Sequence, residues 1–130
     1  MTGHKELLRI LKERNRERKR KRAKLIYGVL LKLKNRVPEK YRNRIIIFGS
    51  WAWGSPGEWS DIDVAVDDRG MSSRESLKLL ARVSVEGYED CEDVIFLTEA
   101  PENLRRRILQ KGISIDEALK AVGKFLEGEG

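Results

Sequence analysis

The chain reads as a small α/β domain. Short runs rich in β-branched residues, at residues 44–48, 60–66 and 93–97, alternate with segments whose apolar residues recur at helical spacing. A length of 130 residues suits one hydrophobic core, and an apolar content of 40% is enough to fill it. No apolar run approaches the ~20 residues of a membrane span.

The first 36 residues predict a helix from about residue 5, in two unlike halves. Leu7, Leu8 and Leu11 make a small apolar patch, and Ile26, Leu30, Leu33 and Val37 recur at the spacing of a core-facing stripe. Residues 12–22 between them hold no large apolar side chain, so they project as a solvated helix or fray. Pro38 ends the helix and begins a connection through Lys40 and Tyr41.

Residues 44–48, Arg-Ile-Ile-Ile-Phe, are nearly continuous in apolar character and predict a buried strand. Gly49 and Ser50 follow at once. A loop with Gly54, Pro56 and Gly57 leads to residues 60–66, where Ile62, Val64 and Val66 lie on one face and Asp61, Asp63 and Ala65 on the other. Ser72 and Glu75 have capping-box spacing and open a helix to about Glu86, with Leu77, Leu80, Ala81 and Val85 as its apolar face. Residues 93–97 form the third strand. Pro101 stands before a short helix over residues 102–110, stopped by Gly112. Residues 113–115 suggest a short edge strand, and residues 116–127 a closing helix. There is no internal repeat.

Charge is unevenly placed. Residues 1–44 hold 17 Lys or Arg against 4 acids, and residues 45–130 hold 10 against 17, so the net +6 conceals a basic start and an acidic remainder. The run from Arg14 to Arg22 is too one-sided for salt-bridge lacing and predicts nonspecific contact of residues 12–22 with polyanions or acidic protein. Charged residues reach 37%, a composition similar to that of thermophile proteins. The lone cysteine, Cys91, excludes an internal disulfide and reads as a strand residue rather than a nucleophile. One Cys and one His do not furnish a zinc site. With no apolar stretch of secretory type at the start, the expected location is the cytoplasm.

The chemistry concentrates in residues 49–63. Residues i and i+2 of a strand point to one face, so Asp61 and Asp63 set two carboxylates side by side. Two such anions repel unless a cation joins them. Hard oxygen ligands of this kind suit magnesium, commonly held by one or two carboxylates plus substrate phosphates. Gly49 leaves room for close backbone approach at a strand end, and Ser50 adds a hydroxyl beside exposed N–H groups, a phosphate cradle. Either feature alone is common; both together, after one apolar strand and at the start of another, point to phosphoryl transfer.

Gly49-Ser50, ten residues, then Asp61-x-Asp63 resembles the signature of the DNA polymerase β-type nucleotidyltransferase superfamily. The likeness is greatest to its minimal branch, whose members often act as antitoxins beside HEPN-domain proteins. It extends through residues 93–97, Ala100-Pro101 and the helix before Gly112, and covers roughly residues 25–115. The resemblance implies a nucleotidyltransferase fold, that is, a small mixed β-sheet flanked by helices in an α/β (α+β) chain. It divides the chain into a basic helical extension over residues 1–24 and a minimal nucleotidyltransferase domain over residues 25–130. It further implies transfer of a nucleoside monophosphate from an NTP, with ATP expected, and release of pyrophosphate.

Asp61, Asp63 and Asp93 are then the catalytic and metal-holding residues, with Mg2+ or Mn2+ as cofactor. Of the four clustered acids Glu89, Asp90, Glu92 and Asp93, the resemblance implies Asp93 as third carboxylate, because it aligns with the family's position at the strand start, with Asp90 next. Gly49, Ser50 and Ser60 are the nucleotide-binding candidates. Trp51 and Trp53 stand where the family often has Arg. With Trp59 they form either a recognition surface or a cluster buried under the first helix.

Three functions follow from these readings. One is a nucleotidyltransferase whose acceptor hydroxyl comes from a partner protein of HEPN type. A second is a binding module that neutralises a partner by contact. A third is a nonspecific nucleic-acid binder through the basic helix. The carboxylate trio favours the first, and the tryptophans in place of Arg favour the second.

Overall fold

The structure is a computed structural model that describes residues 2–49, 62–84 and 92–128. Its elements run α1 (Thr2–Arg36), β1 (Ile45–Phe48), β2 (Ile62–Val66), α2 (Ser73–Val83), β3 (Glu92–Phe96), α3 (Glu102–Lys111) and α4 (Ile115–Gly128), with a 3-10 turn over Glu39–Arg44 and another over Leu97–Glu99. The three strands form one mixed sheet in the order β1-β2-β3, with β1 antiparallel and β3 parallel to the central β2. Helices cover both faces, as expected of an α+β nucleotidyltransferase fold.

The first face is the larger core. Ile45, Ile47, Ile62, Val64 and Val66 pack with Ala23, Ile26, Leu30 and Leu33 of α1 and with Ile115, Ala118 and Val122 of α4. Fully burying an aliphatic side chain of this size contributes about 1.5–3 kcal/mol, so this layer holds the fold. The α1 stripe expected at Ile26, Leu30, Leu33 and Val37 is buried, joined by Ala23 and Val29. Helix α1 then continues without a break to its N-terminus, and residues 3–18 are exposed throughout. Lys19 and Arg20 are half-buried, and Arg20 donates a hydrogen bond to the Leu126 carbonyl at 3.0 Å. Contact with α4 therefore begins inside the basic run.

Helix α4 starts with a capping box that the hydropathy pattern does not reveal. The Glu117 N–H donates to Ser114 Oγ at 3.1 Å and the Ser114 N–H to Glu117 Oε1 at 3.3 Å. The edge strand expected at residues 113–115 shrinks to one antiparallel bridge, Ile113 to Ile47, because Ile115 already begins the helix.

Helix α2 departs from expectation on its buried side. Its N-cap is Ser72, as the spacing predicts. The residues that face the core are Ser76, Leu79 and Val83, while Leu77 is 60% exposed and Ala81 is exposed. The stripe through Leu77 and Ala81 leaves out Ser76 because it is polar. Its hydroxyl donates to the Ser72 carbonyl at 2.9 Å, which satisfies the group and lets it be buried. The helix ends at Val83, and Val85 and Glu86 lie outside the described residues, as does Cys91.

The second face is smaller. Phe48, Ala65, Leu97, Ala100 and Ile108 form its core, with Ile46, Ile95 and Leu104 at the margin. Strand β3 ends one residue earlier than the apolar run, and buried Leu97 begins the 3-10 turn into α3. Gly112 caps α3, though not in the left-handed region: its φ is −68°. Glycine is required there for space, since a Cβ would strike Ile46 Cγ2 and stand 2.5 Å from the Ile108 carbonyl oxygen.

Candidate active site

The sheet register sets the site. On the face toward α3, one row across the strands is Ile46, Ala65 and Ile95, and the next row toward the sheet end is Phe48, Asp63 and Asp93. Ile108 and Leu104 of α3 pack with the first row. The second row changes from apolar to acidic as it passes from β1 to β2 and β3. Phe48 is 8% exposed, Asp63 half-buried and Asp93 exposed. Neighbouring strands lie about 4.8 Å apart, so two aspartates in register on parallel strands bring their carboxylates onto one patch. The Asp93 backbone is paired in the β2–β3 ladder and its side chain is exposed.

Gly49 follows Phe48 at the end of β1. Its φ is +108°, a conformation that side-chain-bearing residues rarely adopt. A Cβ at Gly49 would also collide with Asp63 Oδ2 and lie 3.2 Å from Asp63 Cγ. The absent side chain is thus what admits the Asp63 carboxylate against the β1 turn. The sequence marks Gly49 as a point of close approach. The structure identifies the approaching group as an acid of the D-x-D pair.

A patch of two in-register carboxylates beside open glycine backbone offers hard oxygen donors, and these residues fit a magnesium-type ion. Among the described residues no cluster of three or more His, Cys, Asp or Glu side chains forms a metal-holding group. Asp61, the first acid of the pair, lies outside the described residues, as do Ser50, Ser60, Asp90, Trp51, Trp53 and Trp59. The structure therefore brings together Gly49, Asp63 and Asp93 of the predicted set.

Sequence reasoning missed Phe48 as the apolar end of the acidic row. The sequence marks it only as the last strand residue before Gly49; its pairing with Asp63 comes from the sheet register. Two grooves lie away from this patch. One of about 600 Å3 runs between α1 and α4, and one of about 290 Å3 adjoins Tyr41. Neither is lined by Asp63 or Asp93. No helix among the described residues is long and apolar enough to cross a membrane.

A family model described as polymerase beta, nucleotidyltransferase matches residues 32–118. That stretch contains the three described strands, Gly49, Asp63 and Asp93. Neither a search of curated proteins nor one of solved structures returned a match.

Proposed function

Because this chain belongs to the polymerase beta nucleotidyltransferase family, we propose that it transfers a nucleoside monophosphate from an NTP, ATP being the expected donor, to a hydroxyl on a partner protein. The observation that carries the reading is the in-register pair Asp63 and Asp93 beside Gly49. In the proposed reaction the acceptor oxygen forms a bond to the α-phosphorus, the bond from that phosphorus to the bridging oxygen breaks, and pyrophosphate leaves.

Asp93 is the exposed member of the pair and lies where an incoming acceptor meets the patch, so it takes the hydroxyl proton. Asp63, held against the β1 turn, fixes the donor side. The Gly49 backbone, with Ser50 and Ser60, receives the triphosphate. Asp61, Asp63 and Asp93 would together hold Mg2+ or Mn2+, which when bound neutralises charge on the phosphates and the entering oxygen. The resemblance to the minimal, antitoxin-type branch makes a HEPN-type protein the favoured acceptor. Positioning is the larger part of what such sites supply, and the partner completes it.

A second reading, neutralisation of the partner by contact alone, draws on one sequence feature. Trp51 and Trp53 stand where the family often carries Arg, which removes positive charge beside the triphosphate. One experiment separates the two. The chain is incubated with labelled ATP and Mg2+ or Mn2+, with and without a candidate partner, and label on protein is read by mass spectrometry. Label on the partner that vanishes with Asp63→Asn is the expected result. A tight complex that carries no label with either metal sinks the transfer reading in favour of contact.

A further inference from the structure

The basic half of α1 lies outside the family match and takes no part in the site described above. Residues 5–22 hold ten Lys or Arg against three Glu. Residues 3–18 are exposed in an unbroken helix, and at 1.5 Å per residue this exposed length is about 24 Å. An exposed helix with so many like charges repels itself, so a polyanion is the natural occupant.

The arrangement of charge narrows the choice. At about 100° per residue, Lys5, Arg9 and Lys12 fall in one row along the helix, and Arg14, Arg18 and Lys21 fall in a second row about 180° away. The edge between the rows on one side carries Glu6, Glu13 and Glu17. The opposite edge carries Leu8, Leu11, Asn15 and, near the body, Arg22, while Leu7 and Ile10 share the second flank with its cations. A protein partner covers one face of a helix. A groove lined by phosphates on both walls covers two opposite flanks, leaves one edge to solvent and meets the other with base edges. The three acids are confined to one edge, the one that this geometry leaves to solvent.

We infer that the N-terminal half of α1 docks in the major groove of duplex DNA, its two cationic flanks on the two phosphate walls. The major groove of B-form DNA is about 12 Å wide and admits an α-helix, whereas that of an A-form duplex is deep and narrow. The exposed length of the arm is about twice that groove width. A second copy of the chain is a poor occupant, because two arms of the same strong charge would meet. Contacts of this kind are mostly sequence-independent, through phosphate, with Asn15 and Leu8 the side chains placed to touch bases.

The test uses the full chain, a labelled 20-base-pair DNA duplex and fluorescence anisotropy at several salt concentrations. About six phosphate contacts predict a log–log salt slope near −5 and about a 1,000-fold loss of affinity between 50 and 200 mM salt. Arg14→Gln with Arg18→Gln and Lys21→Gln makes the slope shallower by about 0.9 per cation and weakens binding about tenfold or more. Nucleotide binding at the carboxylate site is unchanged in this variant, so failure here and failure of the transfer reading are separate results.

An RNA duplex of the same sequence binds more weakly, and equal binding overturns the groove placement. Poly-glutamate that competes at equal charge concentration overturns nucleic acid in favour of acidic protein. A salt-independent affinity, or a dimer that the triple variant dissolves in light scattering, also overturns the proposal.

Discussion

Strand β2 has aspartates near both ends, and the fold treats them differently. At its C-terminal end Asp67 and Asp68 are tied into structure. Asp67 accepts two hydrogen bonds from the Arg69 guanidinium, at 2.8 and 2.9 Å, and Arg44 bridges the Asp67 and Arg69 carbonyls. Asp68 accepts from the Thr98 N–H at 3.0 Å and from its hydroxyl, so it staples the β2 exit to the turn after β3. At the N-terminal end Asp63 instead leans on the backbone of Gly49, with Asp93 in register beside it. An acid neutralised by a neighbouring guanidinium is part of the fold. Two acids set in one row at a strand end are the hard oxygen donors that the proposed reaction assigns to a cation.

Substitution at the two ends should separate those roles. Asp63→Asn is expected to lower Mg–NTP affinity by about 100-fold or more, since even loss of an indirect supporting group at a metal site costs about 10–100-fold. Its stability should change by less than about 1 kcal/mol. Titration calorimetry and thermal melting read the two quantities. EDTA should reproduce the loss in the unmodified chain. NTP binding that survives both treatments would break the contrast between the ends.

The two positive-φ glycines provide the next comparison. Gly49 has φ +108° with Asp63 against it, and Gly70, past the other end of β2, has φ +78° with nothing within 4 Å of where a Cβ would stand. Gly70→Ala therefore carries backbone strain alone, about 1–2 kcal/mol, and leaves nucleotide binding intact. Gly49→Ala adds a collision with the Asp63 carboxylate and is expected to cost about 2–4 kcal/mol and to lose NTP binding as well. Equal effects on both properties at the two glycines would show that Gly49 serves the turn and not the site.

How much of this is legible in sequence depends on the kind of constraint. The strands announce themselves because β-branched runs bounded by Gly, Ser and Pro leave few alternatives. The D-x-D spacing alone places Asp63 on the face with Ala65. The pairing of Asp63 with Asp93 is not derivable, because register between strands distant in sequence is fixed by packing across the sheet. The buried side of α2 differs from its apolar pattern for a related reason. Ser76 is polar by type but satisfied by Ser72, a local hydrogen bond that a hydropathy pattern does not contain. The Ser114–Glu117 box is visible in the letters, but a strand reading of residues 113–115 hides it.

A smaller effect tests the structural end of β2 by pH. The Arg69 side-chain hydrogen bonds hold the Asp67 carboxyl below the usual aspartate range, with further lowering from the Arg69 N–H and charge and from Arg44. A carboxyl whose folded pKa is depressed stabilises the fold above its unfolded pKa of about 3.9 and loses that contribution as pH falls through the folded value. Arg69 is more than half exposed, so solvent screens the pair and its contribution is small. Asp67→Asn should therefore melt lower than the unmodified chain at pH 7, approach it as pH falls below the usual aspartate range, and bind Mg–NTP normally. A stability gap that does not narrow as pH falls would assign the effect to packing instead of charge.

The smallest expected effect concerns the arm. Residues 3–18 are exposed and join neither core cluster of the described residues, so at about 25 cal/mol per Å2 they have little burial energy to contribute. The exposed leucines at its tip, Leu7, Leu8 and Leu11, are 47–53% accessible and touch nothing in the core clusters. From Lys19 the helix begins to be covered, Arg20 bonds Leu126, and Ala23 is fully buried. The boundary between arm and body thus falls near residue 18, inside the basic run. Deleting residues 1–18 should shift the melting temperature by about 2 °C or less, the scale of a 0.5 kcal/mol surface change in a domain of this size. Deleting residues 1–23 should cost more, because it uncovers the Ile26 end of the α1–α4 interface. A steep loss already at residue 18 would mean that the arm supports the fold, and would remove the distinction between a free cationic flank and a packed one.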